Sequence, residues 1–233
     1  STAVLYIPIV GLNASFPFEG DLIVVLYLLT LPTLTFFLAG WFSSSLFAAI
    51  GAVRTLTQLF AYEVPLFMSL LGPAMLANSW SISGITAYYA AHPLYALINL
   101  PGFAVCLISI QGKLERVPFD SPDAETEIVG GIFTEYSGRL LALFRMAIDV
   151  ELVVLAALAS AVFLPYYAES MPALSALVFV VKTLAIVFVL AAFRSAMARL
   201  RIEQVVRFGW TVLAPVSLVQ ILLDVFLQGR LHP

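Results

Sequence analysis

Cysteine, histidine and charge are all scarce in this chain of 233 residues. Its single cysteine, Cys106, excludes an internal disulfide and an iron–sulfur cluster held by the chain's own cysteines. His92 and His232 stand apart at segment ends, so the sequence does not predict a metal site. A net charge of −3 and a pI near 5.3 exclude the basic surface that is typical of nucleic-acid-binding proteins.

Apolar residues dominate the composition of the chain. Charged residues make up 11% of the chain and hydrophobic residues 62%, whereas about a quarter of a soluble domain is charged. With a mean hydropathy of +1.03, the composition predicts a polytopic membrane protein. Residues 1–12 are apolar but lack the basic leader and cleavage site of a signal peptide, and we interpret them as the tail of a membrane helix whose beginning is missing. We expect one all-α membrane domain over residues 1–233.

Several apolar runs approach the ~20 residues that a membrane-spanning helix needs. Backbone polar groups cannot reach water in lipid, so these runs must be helices that pack as a bundle. Serine, asparagine, proline or charged residues separate them. The six predicted spans are 21–40, 54–76, 94–111, 139–164, 173–193 and 210–228.

The basic residues near the ends of the predicted spans all fall on one side of the bundle. The connections on the opposite side, 77–93 and 165–172, contain neither lysine nor arginine. Loops rich in these residues remain in the cytoplasm, so we predict a cytoplasmic position for the basic side of a protein in the cell membrane. The basic residues are Arg54, Lys113, Arg116, Arg139, Arg194, Arg199, Arg201 and Arg207.

Eight charged residues cluster in the segment 111–138, between two apolar runs. We interpret residues 112–138 as a charged cytoplasmic coupling loop. Asp123 and Glu127 are four residues apart and follow Ser121-Pro122, a pattern that predicts a short helix. Arg116 is expected to form a bidentate pair with one carboxylate. The other acids favour both a negatively charged mouth of the bundle and a docking surface for a soluble subunit.

Ionisable residues inside a span are costly, so each needs a partner or a use. Glu63 lies roughly 14 Å into the second predicted span, at 1.5 Å per residue. Pro65 nearby removes a backbone hydrogen bond and can open the helix locally. We expect Glu63 either to carry protons along a hydrated path or to form an ion pair with a neighbouring helix.

Three later spans also contain ionisable residues. In the fourth, Arg145 and Asp149 are four residues apart and are predicted to pair on one helix face, while Glu151 points elsewhere and is a relay candidate. Lys182 in the fifth is either a relay group or the counter-ion of a carboxylate on another helix. Asp224 lies towards the far end of the sixth, where we expect snorkelling or a polar cap.

Three blocks of sequence carry a family resemblance. The first is Gly-Trp-Phe-Ser-Ser-Ser at 40–45 with Tyr62-Glu63. The second is Arg-Val-Pro-Phe-Asp at 116–120 with Thr-Glu-Tyr-Ser-Gly at 134–138, and the third is Arg-Leu-Arg-Ile-Glu-Gln at 199–204. In this order they resemble the quinone-site membrane subunit, often called the H subunit, of respiratory complex I and its relatives in energy-converting hydrogenases.

The resemblance implies eight membrane helices, of which this chain lacks the first and most of the second. It implies a non-catalytic subunit without a redox centre of its own. Its loop would pack beside the terminal iron–sulfur subunit and a large hydrogenase-like or quinone-type subunit. Those partners would hold the iron–sulfur clusters and, in a hydrogenase, nickel and iron. Antiporter-like membrane subunits would lie laterally.

The candidate residues fall into two groups. Those for a proton or ion path are Glu63, Glu115, Asp123, Glu125, Glu127, Asp149, Glu151 and Lys182. Those for coupling and docking are Lys113, Arg116, Asp120, Glu135, Arg194, Arg199, Arg201 and Glu203.

Some positions depart from the family pattern. Lys113 stands where the family usually has a glutamate, and the acid is displaced to Glu115. Ile148 replaces a family glutamate beside Asp149, and the family's Asp-Gln is Glu203-Gln204. These departures favour a proton- or sodium-translocating membrane-bound hydrogenase or sulfur reductase, such as the sulfane reductases of heat-loving archaea. The alternative is the quinone-binding subunit of an NADH or deazaflavin-dependent quinone oxidoreductase.

Two hypotheses from other classes compete with a coupling subunit. A stand-alone secondary transporter tends to show inverted repeats and interrupted helices near the midplane, and the sequence shows no repeat. A passive membrane anchor explains the charged loop but gives no use to Glu63, Glu151 and Lys182.

Overall fold

The computed structural model describes residues 2–10, 14–123, 125–164 and 172–231, and within these ranges the chain forms helices and no strand. This confirms the predicted all-α fold. In chain order the helices are α1 (Asp21–Trp41), α2 (Leu46–Ala77), α3 (Ile82–Ala91), α4 (Pro93–Ile98), α5 (Leu100–Lys113), α6 (Glu125–Ile128), α7 (Gly138–Phe163), α8 (Pro172–Ala196), α9 (Ile202–Phe208) and α10 (Ala214–Leu231).

Five segments are long and apolar enough to cross a membrane: α1, α2, α7, α8 and the run Ile202–Arg230 through α9 and α10. They correspond to five of the six predicted spans. Helix α2 is the centre of the bundle, since it packs against α1, α5, α9 and α10. It begins at Leu46 rather than at residue 54, because small and apolar residues continue the helix up to Arg54. Pro65 does not interrupt it.

The third predicted span, 94–111, is two helices rather than one. Helix α4 ends at Ile98 and α5 begins at Leu100, with Asn99 between them. Pro101 in the first turn of α5 has no N–H to continue α4. The Asn99 side chain is buried against Tyr89 and Gln220, which holds the break inside the bundle. A count of apolar residues cannot detect such a break.

A short π-helix, Gly209–Leu213, joins α9 to α10. Gly209 at its start is required by packing, because a Cβ there would collide with the carbonyl oxygen of Ala61 on α2. The absence of a side chain therefore lets this helix approach α2 closely.

The charged loop between α5 and α7 folds into short turns over one end of the bundle, here called the charged end. A 3-10 turn, Ser121–Asp123, is followed by α6 and a second 3-10 turn, Gly131–Phe133. Asp123 and Glu127 therefore lie in two separate elements and not on the single short helix that was predicted. The side chain of Glu125 lies outside the described residues.

Gln58 on α2 attaches this loop to the bundle. Its buried Nε2 donates to the carbonyl oxygens of Gly112, at 2.8 Å, and of Phe119, at 2.7 Å. Its Oε1 accepts a hydrogen bond from Ser121 Oγ at 3.0 Å. One side chain thus satisfies polar groups before, within and after the turn that leaves α5.

Replacing Gln58 with leucine tests this attachment. The change Gln58→Leu keeps a side chain of similar size but removes the hydrogen bonds to the carbonyl oxygens of Gly112 and Phe119 and to Ser121 Oγ. We expect a cost of about 1–3 kcal/mol. We expect a lower Tm of the purified protein and faster proteolysis within residues 114–137. Gln228→Leu, which alters a partly exposed glutamine on α10 that is hydrogen-bonded to Asn78, is the control and should leave both values unchanged. Equal effects of the two changes would contradict the role of Gln58.

Candidate functional site

Three residues that the sequence singled out, from three helices, meet inside the bundle. The Lys113 Nζ, at the end of α5, lies 3.1 Å from Glu63 Oε2 on α2 and 3.8 Å from Glu151 Oε1 on α7. The Lys113 side chain is fully buried, and the side chains of Glu63 and Glu151 are 9% and 3% exposed. We call this group the Glu63–Lys113–Glu151 triad.

The triad corrects the predicted place of Lys113. This residue was predicted to be among the docking residues of the loop, but its side chain lies inside the bundle. The reason is electrostatic: two buried carboxylates need a counter-ion in a medium where an unpaired charge is costly. Of the two roles predicted for Glu63, the structure shows the ion pair with a neighbouring helix, and the relay role remains a prediction.

The two carboxylates of the triad are not equivalent. Glu63 accepts hydrogen bonds from Lys113 Nζ at both oxygens, at 3.1 and 3.4 Å. Glu151 Oε1 is buried without a hydrogen-bond partner in the described part of the chain. The Lys113 ammonium also lies 5.6 Å from the ring centre of Tyr62, an arrangement that favours the cation. Lys113 is therefore held more firmly by α2 than by α7.

Glu115, two residues beyond Lys113, is the next acid towards the loop. It adopts a positive φ of 49° and is buried. Neither of its carboxylate oxygens has a hydrogen-bond partner among the described residues. Burial, followed by the nearby negative charge of Asp123, raises the pKa of Glu115 to about 8. At neutral pH this carboxyl group therefore holds a proton readily.

A charged cavity of about 500 Å³ opens beside Glu115. Its polar walls come from the loop, from α7 and from the segment around α8 and α9, so they combine acids and arginines from distant parts of the sequence. The charged residues that line it are Glu115, Arg116, Asp120, Asp123, Arg145, Asp149, Arg194 and Arg199.

The ion pairs around this cavity differ from the predicted ones. Arg145 and Asp149 do not pair with each other: Arg145 Nη2 lies 3.3 Å from Asp123 Oδ2, and Asp149 Oδ1 lies 2.8 Å from Arg116 Nη2. The spacing on α7 allows the predicted pair, but the loop folds back over this helix and offers each residue a partner of opposite charge. Arg116 contacts one oxygen of Asp149, so its predicted bidentate geometry is wrong.

The remaining predicted residues lie at the outer face of the charged end, on the loop and on the segments that contact it. Arg54 Nη1 contacts Glu127 Oε2 at 2.6 Å, and this hydrogen bond lowers the pKa of Glu127. The Glu135 carboxylate accepts hydrogen bonds from the hydroxyls of Ser43 and Ser44. Arg199 Nε lies 3.2 Å from Asp120 Oδ1. A smaller cavity of about 220 Å³ is lined by Arg54, Ser121, Glu127, Arg199, Leu200, Arg201, Ile202 and Glu203.

Two ionisable residues that were predicted to lie inside membrane spans, Lys182 and Asp224, are away from the triad. Lys182 Nζ on α8 donates to the carbonyl oxygen of Leu164 at 2.6 Å, and Leu164 follows Glu151 by about 20 Å along the axis of α7. Asp224 and its neighbour Gln220 are buried rather than placed at a polar end. The expectation of snorkelling was therefore wrong, because α10 turns these side chains towards α2 and Asn99.

Sequence reasoning missed the polar residues that surround Asp224. Asn99 and Tyr89 are hydrogen-bonded to each other at 2.6 Å, and Gln220 Nε2 lies 2.9 Å from Asn99 Oδ1. One signal was present: Gln220 and Asp224 are four residues apart in an apolar run, which places both on one face of a helix.

These features define a multi-pass helical membrane protein with paired charges between its helices and a folded charged loop at one end. The NADH dehydrogenase family model matches residues 1–225. The H subunit of the NADH-quinone oxidoreductase of Dehalococcoides mccartyi is 35% identical over 233 residues, which is 96% of this chain and 65% of that protein. The chain thus spans slightly less than two thirds of that relative's length.

Two further relatives are matched over a similar extent. The second H subunit of NADH-quinone oxidoreductase from Geobacter sulfurreducens is 38% identical across 93% of this chain and 67% of its own length. The corresponding H subunit of Brevibacillus brevis is 35% identical across 94% of this chain and 68% of its own length. The chain therefore belongs to the H subunit family of complex I.

The raised pKa of Glu115 predicts a pH dependence of stability. The folded protein holds a proton on Glu115 up to about pH 8, whereas the unfolded chain releases it near 4.5. Because the folded state binds more protons in this window, its stability falls as the pH rises from about 4.5 to about 8. The variant Glu115→Gln cannot titrate, so we expect its Tm to fall less over the same range.

The measurement is the Tm of both proteins in a pH series. Glu203→Gln, at an exposed position beside the smaller cavity, is the control and should follow the unaltered protein. Parallel pH profiles for Glu115→Gln and the unaltered protein would show that Glu115 is ionised throughout.

Proposed function

We propose that this chain couples electron transfer in associated subunits to the movement of protons or sodium ions across the cell membrane. The observation that supports this most directly is the continuity of the charged end with the buried triad. Helix α5 ends at Lys113, and the loop that surrounds the charged cavity starts at the next residue. A displacement of the loop therefore acts directly on the cation of the triad.

The charge balance of the triad suggests how this coupling works. One ammonium group faces two carboxylates, so the group has a single excess negative charge when both acids are ionised. If the loop moves Lys113 towards Glu63, Glu151 loses its counter-ion and takes up a proton. If Lys113 returns towards Glu151, that proton is released. Glu115, whose pKa of about 8 lies close to neutrality, supplies or accepts protons between the cavity and Lys113.

The partners and orientation form part of the same proposal. The charged end faces the cytoplasm and docks a terminal iron–sulfur subunit and a large subunit, which hold the redox cofactors. Antiporter-like subunits lie laterally in the membrane and receive the charge change from the triad. The excess of arginine and lysine on this side and the exposed Glu127 and Glu135 support the docking role.

Within this role, we propose a hydrogenase- or sulfur-reductase-type complex, on the basis of Lys113. At the position where the resemblance implies a glutamate, this chain places a buried cation that binds two acids. The alternative is a quinone-reducing complex. The names of the relatives favour it, as does an apolar cavity of about 660 Å³ between α1 and α7 that has Glu151 in its wall.

Neutralising Glu63 tests the coupling role. In Glu63→Gln, Lys113 retains Glu151 as its partner, so the bundle should fold while the exchange between two acids is lost. We expect electron transfer by the whole complex to continue and ion translocation in vesicles to fall by about tenfold or more, equivalent to about 1.4 kcal/mol. Glu19→Gln, at an exposed position before α1, is the control. Unchanged translocation in Glu63→Gln would remove the triad from the path.

Purification of the native complex distinguishes three electron acceptors: protons, sulfur compounds and a quinone. We expect the large subunit that copurifies with this chain to contain nickel and iron if the complex is a hydrogenase, measured by elemental analysis of that subunit. A nickel-free complex that reduces sulfur compounds would support the sulfur-reductase form. A nickel-free complex that reduces a soluble quinone would instead establish the alternative.

A further inference from the structure

A second buried polar cluster lies between α2, α5 and α10, apart from the triad. Asp224, Asn99 and Gln220 are 0%, 1% and 3% exposed. Two glycines make room for them: a Cβ on Gly72 would lie 2.6 Å from Asp224 Oδ2, and one on Gly102 would lie 3.4 Å from the Gln220 Cγ. The cluster is thus enclosed by close helix packing.

This cluster is remote from the charged end. Gly72, which contacts Asp224, follows Glu63 on α2 by nine residues, which is about 14 Å along the helix axis. Asn78 at the end of α2 is 20 residues beyond Gln58, the attachment point of the charged loop, or about 30 Å. Asp224 therefore belongs to the opposite half of the bundle.

The hydrogen-bond geometry does not suit an ionised Asp224. Asn99 Oδ1 lies 2.9 Å from Gln220 Nε2 and 2.9 Å from Asp224 Oδ2. With a carboxylate at Asp224, the second contact places two acceptors together. Turning the Asn99 amide repairs that contact but places its nitrogen 2.9 Å from the Gln220 nitrogen, so that two donors face each other.

Turning the Gln220 amide does not resolve the conflict. Its Nε2 position lies 3.2 and 3.3 Å from the two oxygens of Asp224 and 3.2 Å from the carbonyl oxygen of Ile98. An oxygen at this position would face three acceptors. Every combination of the two amide orientations therefore leaves at least one mismatched contact around an ionised Asp224.

With a neutral carboxylic acid, one arrangement leaves no donor facing a donor and no acceptor facing an acceptor. Asp224 Oδ2 donates its proton to Asn99 Oδ1, and Gln220 Nε2 donates to Asn99 Oδ1 and to the Ile98 carbonyl oxygen. Asn99 Nδ2 then donates to Tyr89 Oη at 2.6 Å, and that hydroxyl donates to the Pro73 carbonyl oxygen at 3.4 Å. A complete chain of donors and acceptors follows from adding one proton.

The titratable and charged groups near Asp224 are consistent with a protonated carboxyl group at this residue. Of the helices packed around Asp224, α2 places the uncharged Gly72 beside it, and α3 contributes one titratable group, Tyr89. Arg230, later on α10, stacks on Phe226 at 4.8 Å. None of the ion pairs found in the described residues includes Asp224. A buried carboxyl group in such surroundings is favoured in its neutral form.

We propose that Asp224 is a proton-binding site, with the proton on Oδ2 and the Asn99 carbonyl as its acceptor. Release of the proton requires the Asn99 amide to rotate, which reverses its hydrogen bond with Tyr89. The proton exchanges with the aqueous phase at the end of the bundle remote from the charged loop. One helical turn beyond Asp224, Gln228 is hydrogen-bonded to Asn78 at an exposed position, at 3.1 Å.

Infrared difference spectroscopy of the purified complex at neutral pH tests the site. A protonated carboxyl group gives a C=O band that shifts in D₂O. We expect Asp224→Asn to lose one such band, because the variant lacks the carboxyl group. The asparagine amide replaces the acid as donor to Asn99, so the fold is preserved. Asp149→Asn, which changes an exposed carboxylate paired with Arg116, is the control and should retain the band.

A second variant tests the acceptor. Asn99→Leu removes the carbonyl oxygen that receives the proton, so the Asp224 band should move to higher wavenumber as its hydrogen bond is lost. An unaltered band position would overturn the assignment of Asn99. A spectrum of Asp224→Asn with no loss of a carboxyl band would show that Asp224 is ionised and would overturn the proposal.

Discussion

The contact of one buried ammonium group with two buried carboxylates is the interaction on which the other features of this bundle depend. Lys113 lies on α5, Glu63 on α2 and Glu151 on α7, and their charged groups meet between these helices. None of these charges is stable alone among apolar helices, because the protein interior cannot replace the hydration that a buried charge loses. The three helices must therefore keep their separation and rotation. Because α5 ends at Lys113, the charged loop must also begin from the interior of the bundle.

The loop is held at this point by interactions of a different kind. Gln58 satisfies backbone and hydroxyl groups of the loop through both atoms of its amide. Ion pairs then connect the loop to α7 and to the segment before α9. Their partners are partly exposed, so each pair contributes little stability on its own. They determine which side chains line the charged cavity, and they connect events in that cavity to Lys113.

Much of the architecture could be predicted from the sequence. The composition identified a membrane protein, and the apolar runs located five spanning helices. The cluster of charges identified the loop, and its position inside an apolar span identified Glu63. The errors concern partners: Arg145 and Asp149 have the correct spacing to pair but each contacts the loop, and Lys113 was placed at the surface. The two helices α4 and α5 were also predicted as one span, because hydrophobicity does not report the break at Asn99.

The difference between the features that the sequence predicted and those that it missed has a physical basis. Hydrophobicity and helical periodicity are local properties, and lipid requires each apolar run to satisfy its own backbone, so the helices and the charged loop follow from the residues alone. A buried charge or amide is satisfied by groups that are distant in sequence, and its partner depends on how helices rotate and how loops fold back. The Lys113 contacts and the cluster of Asp224, Asn99 and Gln220 were therefore decided only when the helices packed together.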